Sequence, residues 1–98
     1  MNMQQIMAQA QKMQKDIMNK KSQIDNMEFI GKSDWVEINF KGNRDVKGVK
    51  ITNAAAFDKE NEEILCDMIL IAIKNGLSQI EDKTNDVMGA YSQMGGLL

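Results

Sequence analysis

Twelve Lys and Arg side chains are the residues of this 98-residue chain best suited to a chemical task, and the task is electrostatic. Lys12, Lys15, Lys20 and Lys21 cluster near the start of the chain; Lys32, Arg44, Lys47, Lys50 and Lys83 follow at wider intervals. Cations so placed can neutralise a row of phosphates with little regard to base sequence. Catalytic chemistry has far less to work with. The absence of His removes imidazole bases, Ser-His and Cys-His nucleophile systems, and His-containing metal sites. The single Cys66 can form neither an intrachain disulfide nor a zinc cluster, and beside Leu65 and Met68 it reads as a small buried apolar residue. Glu60, Glu62, Glu63 and Asp67 lack a recognisable nucleophile or pocket motif, and they suit the solvated start of a helix. The segment from Gly42 to Gly48 lacks the spacing and the terminal Lys-Ser/Thr of a phosphate-cradling loop. No catalytic residue, metal ligand or cofactor is expected.

The charge is unevenly shared. The whole chain carries −2, but residues 1–50 hold nine basic and six acidic side chains, against three and eight in residues 51–98. A polyanion would therefore prefer the first half. Taken alone, the acidic total favours association with protein over high-affinity binding to DNA. The length suits one domain over residues 1–98, and a chain this short gains by burying surface against a second copy. The first twenty residues contain Lys12, Lys15, Asp16 and Lys20, unlike a signal peptide, and the apolar run from Met68 to Ile73 is too short to cross a bilayer. A cytoplasmic protein with no membrane partner is the expectation.

The elements that must position the lysines read as helix, small sheet, helix. Met3, Ile6, Ala10, Met13, Ile17, Ile24 and Met27 recur at helical spacing, with Lys20 in the same register. About 25 residues of helix reach roughly 37 Å, more than a small globule needs, so this helix should project or lie on a partner. Val36, Ile38 and Phe40 alternate with polar neighbours as a strand does; Met27 to Lys32 and Lys47 to Ile51 are the flanking strands. Turns at Gly31-Lys32-Ser33-Asp34 and Gly42-Asn43-Arg44-Asp45 make the sheet an antiparallel meander. Trp35, beside the first turn, reads as a packing residue. A second helix begins near Asp58 or Asn61 and is apolar around much of its circumference from Leu65 to Ile80, which calls for burial on two sides. The fold class is α/β of the α+β type, with a tail at 92–98 expected to be flexible. The over-apolar helix, the long first helix and the open sheet edges predict a homodimer, with Ile6, Met13, Ile17, Ile24, Leu65, Ile69, Ile73 and Ile80 as candidate interface residues.

The chain resembles the YbaB/EbfC family of bacterial nucleoid-associated proteins. The resemblance runs through the Met/Gln/Lys-rich stretch from Gln4 to Lys21, Val36-Glu37-Ile38-Asn39-Phe40-Lys41-Gly42, Val49-Lys50-Ile51-Thr52, Ile80-Glu81 and Met94-Gly95-Gly96. It implies an intertwined dimer in which strands of both subunits associate and helices project like the arms of tweezers. It also implies duplex-DNA binding through basic residues on the long helices, hence a nucleoid location, an effect on DNA conformation or gene expression, and no enzyme activity. Carried onto this chain, the DNA-contacting positions are Lys12, Lys15, Lys20 and Lys21 of the first helix; by their own placement Lys32, Arg44, Lys47 and Lys50 are a candidate basic sheet rim and Lys83 the cation near Ile80-Glu81, both assisting. Before Ile80-Glu81, where the family commonly has basic residues, this chain has Ser78-Gln79. A structural or regulatory dimer acting through a protein partner is the alternative.

Overall fold

A computed structural model describes residues 2–92. Helix α1 spans Met3–Asn26, strands β1, β2 and β3 span Glu28–Lys32, Val36–Lys41 and Val46–Ile51, and helix α2 spans Glu62–Ser92. Short 3-10 turns at Ala54–Phe57 and Lys59–Asn61 join β3 to α2. Of the tail expected at 92–98, Ser92 ends helix α2 and the rest lies outside the described residues.

Local chemistry sets the boundaries. The Asn2 side chain accepts a hydrogen bond from the Gln5 amide at 2.9 Å, satisfying an otherwise unpaired donor at the start of α1. At the other end Met27 turns extended and its carbonyl accepts from the Gly42 amide at 2.9 Å, which draws the chain into the sheet. Between β2 and β3 the Lys41 amide donates to the Asp45 carbonyl, and the Asn43 side chain accepts from the Asp45 amide. Arg44 completes that turn at φ 72°, in the left-handed region that glycine adopts more readily. Asp58 and Asn61 are not side-chain caps of α2 in the way the sequence suggests. Asp58 makes no side-chain cap hydrogen bond, and the Asn61 amide group instead donates to the Ala55 carbonyl at 2.9 Å.

The sheet is antiparallel in the order β1-β2-β3, with Ile38 opposite both Gly31 and Val49. Its pairing with β3 shifts at a bulge between Asn39 and Phe40. On one face Val36, Ile38 and Phe40 pack against Ala72 and Ile80 of α2 to make the core, with Trp35 packed at its margin. Burying a side chain of this size stabilises the fold by about 1.5–3 kcal/mol.

Helix α2 approaches β1 closely because two glycines meet. A Cβ on Gly31 would fall on the Ala72 carbonyl oxygen, and one on Gly76 would fall on the Phe40 ring. The sequence leaves Gly76 open between tolerated helical glycine and close-packing site; the structure makes it the latter. Cys66 departs from its expected burial: it is exposed. The positions that face the sheet are Leu65, Ile69, Ala72 and Ile73, and Cys66 sits about 100° round the helix from Leu65.

Candidate nucleic-acid interface

Helix α1 carries two unlike rows. The apolar row is buried at Ile24, half-buried at Lys20, Ile17 and Met13, and exposed at Ile6 and Met3. It therefore emerges from the body of the molecule toward its N-terminus. The opposite row, Ala8, Lys12, Lys15, Asn19, Ser22 and Asn26, is fully exposed and contains no carboxylate. Lys12 and Lys15 lie one helical turn apart in that row, while exposed Lys21 and half-buried Lys20 flank the apolar stripe. The four ammonium groups occupy roughly 13 Å of helix axis. Asp16 and Asp25 are the only acids within α1, and none of the four lysines is held in an ion pair among the described residues.

The sheet cations form a second group. Lys32, Glu37 and Lys50 stand in register across the three strands on the face away from α2. Lys32 Nζ is 3.9 Å from Glu37 Oε1, so one of the two positive charges in this row is partly compensated. Lys47 is 3.5 Å from the Asp45 carboxylate, and Arg44 is exposed on the adjoining turn. Lys83 stands exposed on α2 just after Glu81 and Asp82. The structure thus gathers Lys12, Lys15, Lys20 and Lys21 on one helix, and Lys32, Arg44, Lys47 and Lys50 on the sheet and its turn. It leaves Lys83 among acids. Among the described residues no group of three or more His, Cys, Asp or Glu is placed to hold a metal ion. No described helix is long and apolar enough to cross a membrane.

The candidate interface residues divide. Ile24 and Ile80 are buried within the chain itself, and Leu65, Ile69 and Ile73 pack against its own core. Ile6, Met13 and Ile17 line a groove of about 390 Å³ on α1. Other apolar side chains remain uncovered: Val46 and Val49 of β3, Ile64, Leu70 and Ile71 of α2, and Phe57, which is 74% exposed. The reason lies in the layering. Helix α2 packs beneath β1 and β2, which leaves Val46 and Val49 of β3 exposed while Ile51 packs against the core.

One arrangement escapes a reading of residue types. Asn75 Oδ1 accepts from the outward Lys32 amide at 3.0 Å, Gln79 Nε2 donates to the outward Ile30 carbonyl at 2.8 Å, and Gln79 Nε2 also donates to Asn75 Oδ1 at 2.8 Å. These carboxamides cap two of the outward backbone groups of β1. Their spacing of one helical turn is the only signal the sequence offers, and it does not reveal which strand they meet.

Residues 1–96 match the YbaB/EbfC DNA-binding family. The chain belongs to that family. Relatives named nucleoid-associated proteins span almost its whole length. One from Lactococcus lactis subsp. cremoris strain MG1363 is 41% identical over 95 residues, covering 95% of each chain. One from Lactobacillus acidophilus strain NCFM is 39% identical, covering 95% of this chain and 85% of its own. One from Streptococcus pneumoniae strain Hungary19A-6 is 38% identical over 94 residues. The crystal structure of an uncharacterized Helicobacter pylori protein shares the fold, with TM-score 0.74, 18% identity, and coverage of 97% and 99% of the two chains. YbaB/EbfC membership sets the chain among DNA-binding proteins and apart from enzymes.

Proposed function

We propose that this YbaB/EbfC-family chain is a nucleoid-associated protein that binds duplex DNA as a homodimer, mainly through phosphate contacts from α1. The observation that carries this reading is the acid-free exposed row of α1, with Lys12 and Lys15 at its centre and Lys20 and Lys21 beside it. Local charge governs the contact, because salt screens charges beyond about 8–10 Å, and the acidic start of α2 lies on a different element. Lysines reach phosphate oxygens as flexible point charges, so the contact is sequence-tolerant. Released counterions supply much of the affinity, and two α1 helices on one duplex can hold or bend it. Lys32, Arg44, Lys47, Lys50 and Lys83 are auxiliary cations.

Exposed Val46 and Val49 on β3 support the dimer. A second α2 seated beneath β3, beside the first, covers Val49, Leu70 and Ile71 in both copies and takes their apolar surface out of water. Both α1 helices then remain outside the joint core as projecting arms. This arrangement uses the exposed apolar set rather than Ile24 and Ile80, which the single chain already buries.

The test is fluorescence anisotropy with labelled duplexes of equal length and different sequence, repeated across a salt series. Affinity should fall steeply with salt and change little with sequence. A Lys12→Ala, Lys15→Ala, Lys20→Ala, Lys21→Ala variant should stay dimeric by light scattering and lose binding. Failure of the wild-type dimer to bind at low salt, or equal binding by the folded variant, refutes the surface. In that event the reading of a dimer acting through a protein partner takes its place, supported by the net charge of −2.

A further inference from the structure

The two edges of the sheet are not equivalent. On β1 the alternation set by the Ser33 amide donating to the Val36 carbonyl directs the Lys32 amide and Ile30 carbonyl outward, where Asn75 and Gln79 satisfy them. On β3 the Thr52 amide donates to the Trp35 carbonyl, so the same alternation directs the amides and carbonyls of Val49 and Ile51 away from β2. No side chain among the described residues meets them. An exposed edge of this kind is a template for another strand.

The composition of β3 selects the occupant. Val46–Ile51 contains Lys47 and Lys50; Asp45 on the preceding turn lies 3.5 Å from Lys47, which leaves Lys50 and the exposed Arg44 of that turn as the local cations outside any close ion pair among the described residues. Val49 and Ile51 lie opposite Val36 and Ile38 of the buried face, so their side chains belong to the inner side; Lys50 lies opposite Glu37 on the outer side. Next to Lys50, Gly48 leaves space that no described residue beyond its chain neighbours enters within 4 Å of a notional Cβ. Together with Ile30, Glu37, Asn39 and Val49 these residues line an open depression of about 360 Å³. Asn39 Oδ1 within it is out of contact with solvent and has no hydrogen-bond partner. Pairing with β3 of a second copy would bring four lysines onto one ribbon, and like charges so placed are destabilising.

We infer that the open edge of β3 accepts an extended acidic segment of a partner protein by strand addition. Backbone groups of Val49 and Ile51 supply hydrogen bonds, alternate apolar side chains of the segment lie on the Val49 side, and its carboxylates lie on the Lys50 side. This surface is separate from the exposed row of α1, so its failure leaves the DNA reading standing.

The probe is a capped eight-residue peptide of alternating Val and Glu, titrated into the ¹⁵N-labelled full chain, with a Val/Lys peptide as its counterpart. Saturable shifts and new exchange protection at the Val49 and Ile51 amides are expected, with affinity falling as salt rises. Val49→Pro removes an edge donor and should weaken binding about tenfold. Lys50→Glu should weaken it by a similar factor, and this variant carries the test if Val49→Pro does not fold. Equal binding of the Val/Lys peptide, shifts confined to α1, or wild-type affinity in folded Lys50→Glu overturns the proposal. Protection of the Val49 and Ile51 amides before any peptide is added also overturns it, by showing that a second copy already occupies the edge.

Discussion

Gly76 and Gly89 lie in the same helix, and the same substitution should move stability in opposite directions at the two positions. In Gly89→Ala the new methyl meets nothing within 4 Å among the described residues, so helix propensity is the change expected, and the variant should gain about 0.5–1 kcal/mol. In Gly76→Ala the methyl lands on the Phe40 ring and 3.3 Å from the Gly31 Cα. The ring cannot swing clear, because Phe40 is 2% exposed and held between the sheet and α2. Overpacking of this kind costs about 1–3 kcal/mol, and the geometry points to the upper part of that range. Subtracting about 1 kcal/mol of improved helix propensity leaves a net loss of about 2 kcal/mol. Urea unfolding followed by circular dichroism, at one fixed protein concentration so that any contribution from the proposed dimer stays constant, reads both midpoints. A rise in midpoint for Gly76→Ala, or a fall for Gly89→Ala, would refute the close-approach account of how α2 is seated.

Arg44→Gly should raise stability by about 0.5–1 kcal/mol in the same assay, since φ 72° suits glycine, while weakening DNA binding slightly through loss of an exposed cation. Gln79→Ala should cost about 1 kcal/mol and speed amide exchange at Lys32, whose partner Asn75 loses its support. A Leu70→Asp, Ile71→Asp variant should elute as a folded monomer in light-scattering chromatography at low micromolar concentration, because two exposed apolar contacts of α2 become charged; a persistent dimer would rule out the proposed seating beneath β3.

The order of elements was legible from periodicity alone. The spacing of Met3 to Ile24 specifies a helix, the alternation through Val36, Ile38 and Phe40 specifies a strand, and the short polar turns require an antiparallel meander. The lysines of α1 could likewise be assigned to its surface, because rotation about a helix is set by position number. What sequence could not decide was which of two available apolar neighbours each α2 residue meets. Leu65, Ile69, Ala72 and Ile80 turn to the sheet, whereas Ile64, Leu70, Ile71 and Cys66 do not. All are compatible with burial, and only the depth at which Gly31 and Gly76 allow α2 to sit, and its position under β1 and β2, separates them. The unequal sheet edges have the same origin. Asn75 and Gln79 are ordinary helical carboxamides until tertiary packing brings them against β1, and hydrogen bonds between residues more than forty positions apart leave no local trace in the chain.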